Sequence, residues 1–231
     1  MESAKKSEVA VNFSDRLVNF IQRNRKILAG VLIVLFVVLV GVGIGYTVLE
    51  NARKANIVKV AELEKSYEEI RILEDSSDKE EKIQTLIKEL EKFAEQHTWL
   101  SKYSGTRAYM TLATIHVDRK EWPEAEQAWL KVASISPSSY LAPVALYNAA
   151  TAAEERGDSL KALELYTRCA KEYEKTFPLM PRVYFAIGRI QESQKNNTEA
   201  LAAYEKLVEK WPNDNWTKLA RSRILMLSTL K

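Results

Sequence analysis

Histidine, cysteine and paired carboxylates are the usual carriers of metal and nucleophilic chemistry, and this 231-residue chain holds few of them. His97 and His116 are its only histidines, and the single cysteine, Cys169, lies at no metal-ligand spacing from either. His116 falls where a helical pattern wants an aromatic ring, so its expected role is packing. Cys169 sits near Tyr166 on an inward helix face, where a small apolar residue belongs. Glu68-Glu69 and Glu154-Glu155 are adjacent carboxylates on helical stretches with no companion nucleophile or base, and solvated faces explain them. No GxSxG, Walker A, GxGxxG or HExxH occurs. The residues predict no enzyme, no metal and no cofactor.

What remains is recognition, and composition narrows it. Six basic and three acidic residues precede Glu50, which leaves 28 of the 34 Lys/Arg and 28 of the 31 Asp/Glu for the remainder. A neutral remainder gives no electrostatic reason to expect nucleic acid as a partner. Seven glycines and six prolines amid abundant Ala, Leu, Glu and Lys predict an all-α fold.

Ile27–Leu49 is the element that organises the chain. It holds no charge. A helix of that length measures roughly 34 Å, enough to cross a hydrocarbon core of about 30 Å. A buried core helix would keep a polar stripe, and a cleaved signal would have a shorter apolar region ending in small residues. The reading is a retained signal anchor. Lys5, Lys6, Arg16, Arg23, Arg25 and Lys26 precede it, and Glu50 opens a mixed flank, so the N-terminus is expected in the cytoplasm and residues 50–231 outside it. Gly41 and Gly45 form a GxxxG that could bring two copies together.

The flanking elements follow from capping and periodicity. Residues 1–12 are polar and expected to be disordered, with Ser14 capping a first helix and Phe13 stapling it. That first helix reads either as an amphipathic segment on the inner leaflet or as a plain extension of the span. Ile57, Val60, Leu63, Tyr67 and Ile70 form one apolar stripe. A break at Glu74–Asp78 follows, then a capping box at Ser77-x-x-Glu80 and a second stripe through Ile83, Leu86, Ile87, Leu90, Phe93 and Ala94. A helical hairpin fits this, with a short coiled coil as its alternative.

From Tyr103 the chain repeats itself. Tyr109-x2-Leu112-Ala113, Leu146-x2-Ala149-Ala150 and Tyr184-x2-Ile187-Gly188 each precede a second segment, Ala125-x3-Trp129, Ala162-x3-Tyr166 and Ala200-x3-Tyr204. Small residues at these places let paired helices touch. The spacing from Ala125 to Ala162 is 37 and from Ala162 to Ala200 is 38. The pattern resembles the tetratricopeptide repeat, whose usual period is about 34. Gly157-Asp158 and Asn196-Asn197 are expected at the turns between paired helices, where a left-handed residue ends the first one. The predicted layout is a basic tail (1–26), a transmembrane helix (27–49), a hairpin (50–102), three repeats (103–214) and a capping helix (215–231).

The repeat register names a candidate groove on the first helices: Arg107, Met110, Thr114, Tyr147, Asn148, Thr151, Arg182, Phe185 and Arg189. Apolar residues there suit apolar side chains, and arginines suit carboxylates. No Lys/Asn clamp of the kind that holds chaperone tails is present. With the basic run Arg23-Asn24-Arg25-Lys26 before the span and the closing Leu219–Leu225, this layout resembles the bacterial YfgM family. That resemblance implies an inner-membrane protein, its repeats in the periplasm, ancillary to the Sec translocon and a periplasmic chaperone that handle secretory proteins. Two alternatives stay open: a self-associating envelope scaffold, and an organelle-surface import receptor with its repeats in the cytosol.

Overall fold

The computed structural model describes residues 2–99 and 101–229, with side chains described from Phe13 onward. Leu230 and Lys231, the last two residues of the expected capping helix, lie outside the described residues. Nine helices and no strand occur among the described residues. The chain divides into two compact units, residues 1–55 and 56–231.

The first unit is the start of α1 (Glu2–Arg71). The disorder expected for residues 1–12, and the cap expected at Ser14, give way to a helix that begins at Glu2. No glycine or proline occurs before Gly30, so nothing in the sequence interrupts helix propagation there. From Val31 to Leu49 the large apolar side chains are exposed, between 43% for Val40 and 68% for Leu39. This one described helix is long and apolar enough to cross a membrane by length and composition.

The second unit holds the rest of α1, then α2 (Ser77–Gln96), α3 (Lys102–Asp118), α4 (Trp122–Ile135), α5 (Leu141–Glu155), α6 (Ser159–Tyr173), α7 (Met180–Ser193), α8 (Asn197–Lys210) and α9 (Asn215–Thr229). From α2 onward each helix packs on the next in chain order, so the core is a continuous file of helix pairs. The hairpin stripes belong to that same core: Val60, Leu63 and Tyr67 of α1 are buried with Ile83, Leu86, Leu90 and Phe93 of α2. Ile57 falls outside it at 42% exposure. The cap of α2 sits one residue earlier than expected. Ser76, in extended backbone, accepts from Lys79 N at 3.2 Å, and Glu80 is free to pair with Arg119 instead.

The turns inside the three repeats share one geometry. Lys120, Gly157 and Lys195 have φ of 58°, 86° and 64°. The following residue in each case bonds back to the closing helix, Glu121 N to His116 O, Asp158 N to Ala153 O and Asn196 N to Gln191 O, at 2.8–2.9 Å. That is the Schellman closure of a helix. Gly157 meets it without cost, as predicted. At the third turn the left-handed residue is Lys195 and not an asparagine, and Asn196 becomes the N-cap of α8. A lysine at positive φ costs about 1–2 kcal/mol relative to glycine. Replacing Lys120 and Lys195 together by Gly is therefore expected to raise the melting temperature in a thermal scan, partly offset by the looser unfolded chain.

Candidate functional site

The helix contacts that set the register are tight. Ala113, Ala150, Ala125, Ala162 and Ala200 are fully buried. A Cβ built on Gly188 would lie 2.5 Å from the Tyr204 ring. Cys169 is also fully buried, and burial pushes its thiol up to about 12, so it stays an unreactive core residue. His116 does more than pack: its Nδ1 lies 2.7 Å from Glu121 Oε2. Burial pushes the Glu121 carboxyl up, but hydrogen bonds from His116 and Arg119 outweigh that and hold it below the usual range. His97 stacks on Phe93 at 4.3 Å. No group of three His, Cys, Asp or Glu that could hold a metal occurs among the described residues.

Eight of the nine groove candidates fall at three equivalent places on α3, α5 and α7, and the ninth, Asn148, aligns with the buried Thr111 and Ala186. The spacings of 37 and 38 superpose Met110 on Tyr147 and Phe185, Thr114 on Thr151 and Arg189, and Arg107 on Val144 and Arg182. All nine are half-buried or exposed. Met110, Tyr147 and Phe185 form an apolar line, each packed against the core from its own repeat. Thr114 and Thr151 bond their own helix at Met110 O and Tyr147 O, and the Thr151 hydroxyl also lies 3.2 Å from Tyr166 Oη on α6.

The arginines differ from one another, and sequence spacing could not show it. Arg107 is taken by Glu64 of α1, with Nε 2.7 Å from Oε1, and its head also lies over the Tyr103 ring. Arg189 is paired with Glu154 of α5. Arg182 makes no ion pair or side-chain hydrogen bond among the described residues. Its guanidinium instead lies 5.3 Å from the centre of the Tyr147 ring and 5.6 Å from that of Trp216. Two aromatic faces hold the cation while leaving its N–H donors open.

Trp216 lies on α9, in the segment expected to cap the last repeat, and is not among the groove candidates. It also meets Phe185, ring centres 5.0 Å apart. Beside it a pocket of about 430 Å³ opens, lined by Phe185, Arg189, Glu192, Ser193, Tyr204 and Arg223. Glu192 accepts from Tyr204 Oη at 3.1 Å and from Arg223 Nε at 3.0 Å. Burial, reinforced by Glu192, pushes the Tyr204 phenol up to about 12, so it remains a donor. In the preceding repeat Glu154 has the equivalent role, facing Tyr166 and Arg189. The pocket walls are thus internally bonded, and Arg182 beside them is not. A Cβ added at Gly41 or Gly45 would meet nothing within 4 Å, so the GxxxG presents an open surface on a single helix.

Successive helix pairs with small contact residues, left-handed turns at fixed spacing and a covering last helix define a repeat scaffold of the protein-interaction type. A tetratricopeptide-repeat family model matches residues 147–215. The chain is similar to a TPR repeat-containing protein of Treponema pallidum (strain Nichols), 31% identical over 229 residues, which span 92% of this chain and 93% of that one. The chain belongs to the tetratricopeptide-repeat proteins. Among solved structures, nearly identical TPR-like repeats from Podosopora anserina superpose with a TM-score of 0.50 at 15% identity, over 74% of this chain and 87% of that one. The Arabidopsis OM64 TPR domain is matched over 52% of this chain and 94% of that one at 17% identity, with a TM-score of 0.43.

Proposed function

We propose that this protein is a non-enzymatic scaffold held by Ile27–Leu49 in the inner membrane, with residues 50–231 outside the cytoplasm. There it binds an extended protein segment along the Met110–Tyr147–Phe185 line. One observation carries the reading: Arg182 is clamped between Tyr147 and Trp216 with its hydrogen-bonding edge unspent. Such a cation suits a carboxylate on a segment whose apolar side chains fill the neighbouring line. A rigid arginine among aromatics is also the composition typical of residues that dominate binding energy. The layout shared with the YfgM family supports the finer reading, in which the partners are translocon subunits, a periplasmic chaperone or secretory clients.

The test uses Arg182→Glu. Arg182 is exposed and bears no ion pair among the described residues, so the variant should melt close to wild type while repelling a carboxylate. Affinity capture of the full chain from membranes should recover translocon or chaperone subunits, and the variant should recover far less. Equal recovery by both proteins would place the binding surface off this face.

A further inference from the structure

We infer that a pocket between α2, α3 and α4 binds a primary ammonium group on an alkyl stem, the chemistry of a lysine side chain presented by a partner protein. The pocket measures about 200 Å³. Tyr109, Leu112 and His116 line it from α3, and at 3.6 residues per turn they fall opposite Arg107, Met110 and Thr114. The site is therefore separate from the Met110–Tyr147–Phe185 line and does not depend on it. Leu112 and Ala128 are buried and give the pocket an apolar floor. Glu91 and Glu95 of α2 and Glu124 of α4 stand at its rim, exposed and without an ion pair among the described residues. Lys131 also lines it and pairs with none of them. Three carboxylates against one lysine leave the lining with two negative charges in excess. Tyr109 feels that field: burial, and after it Glu95 and Glu91, push its phenol up.

His116 makes this acidic hollow a site for an N–H donor. Its side chain is only 10% exposed, and its Nδ1 lies 2.7 Å from Glu121 Oε2. Arg119 Nε donates to the other oxygen of Glu121 at 2.7 Å, so this carboxylate is ionised and can only accept. The proton between ring and carboxylate therefore belongs to Nδ1. With Nδ1 committed to Glu121, the ring edge that remains carries Nε2, which in the neutral ring is a lone-pair acceptor. Nε2 has no hydrogen-bond partner among the described residues. A nearly buried acceptor without a partner is uncommon in native proteins, and a donor entering the pocket would satisfy it. An anion brings no such donor and meets the like charge of the rim. No side-chain set suited to a metal ion occurs among the described residues, which leaves an organic cation. The three donors of an ammonium point in three directions and can divide among Nε2 and two rim carboxylates, whereas those of a guanidinium lie in one plane. Its methylene stem would lie along Leu112 and the Tyr109 ring. In a scaffold of the protein-interaction type, that stem is expected on a protein.

The test reads His116 directly, because His97 is the only other histidine. The full chain, carrying isotope-labelled histidine in detergent micelles, is titrated at constant neutral pH with the acetylated and amidated peptide Gly-Gly-Lys-Gly-Gly. The ring nitrogens are followed by NMR, and His97→Gln assigns the signals. The Nε2 signal of His116 is expected to move saturably while the His97 signals stay in place. The same peptide with norleucine for lysine keeps the stem without the charge, and it should move neither. Glu91→Gln, Glu95→Gln and Glu124→Gln combined should weaken binding of the lysine peptide about tenfold, with the melting temperature unchanged because all three side chains are exposed. The site is overturned by the absence of a saturable shift at His116, by an equal shift with norleucine, or by undiminished binding to the triple variant. Butylamine, titrated in parallel, distinguishes the source. Saturation by the peptide at the lower concentration supports a lysine of a partner protein, and the reverse order overturns that source in favour of a free amine.

Discussion

Gly188→Leu should be the most damaging single substitution in the repeats. The Tyr204 ring lies where a Cβ at 188 would go, and it cannot easily retreat. Tyr204 is fully buried, bonded to Glu192 and packed 5.6 Å from Phe185. Overpacking of this kind costs about 3 kcal/mol, at the upper end of the usual range because ring and helix must both shift. For a unit of this size that is roughly a 6–12 °C fall in melting temperature. A companion variant identifies the cause. In Tyr204→Leu the smaller side chain leaves room, so adding Gly188→Leu to it should cost much less than adding it to wild type. A melt unchanged by Gly188→Leu would mean that α7 and α8 do not touch here, and the repeat register would fall with it.

The same contact shows why the register was legible in the sequence. Two helices can approach closely only where side chains are small, so Ala113, Ala150 and Gly188 had to recur opposite Ala125, Ala162 and Ala200. The surface face of each first helix followed from that register, and the nine groove candidates do lie half-buried or exposed. Local chemistry was less legible. A lysine at positive φ contradicts ordinary preference, so Lys120 and Lys195 gave no signal beside Gly157. The cap of α2 slid by one because Ser76 and Ser77 are chemically alike and only backbone angle distinguishes them. The roles of the arginines were invisible for a different reason. Each partner comes from another helix, Glu64 of α1 for Arg107 and Glu154 of α5 for Arg189. Helical periodicity compares residues within one turn or two and says nothing across that distance. Trp216 was read correctly as belonging to the closing helix, but its stacking on Arg182 depends on how α9 meets α7.

Glu174 should make the repeats sensitive to acid. It follows α6, and its carboxylate gathers Lys210, Tyr184 and Lys206, so one side chain ties α6 to both α7 and α8. The bond from Lys210, aided by those from Tyr184 and Lys206, lowers its pKa from 4.5 to about 2. A depressed acid stabilises the fold wherever it is ionised in the native state and would be ionised when unfolded. That contribution is therefore complete above about pH 4.5 and is lost as the pH falls toward 2. Bonds to a charged group are worth more than neutral ones, but this carboxylate is 23% exposed and partly screened, so about 2 kcal/mol in all is a reasonable scale. Glu174→Gln keeps the shape and removes the charge. At neutral pH it should melt several degrees below wild type, and the two should converge as the pH drops through that window. Persistence of the full difference at pH 2 would assign the loss to packing and would remove the carboxylate from the account.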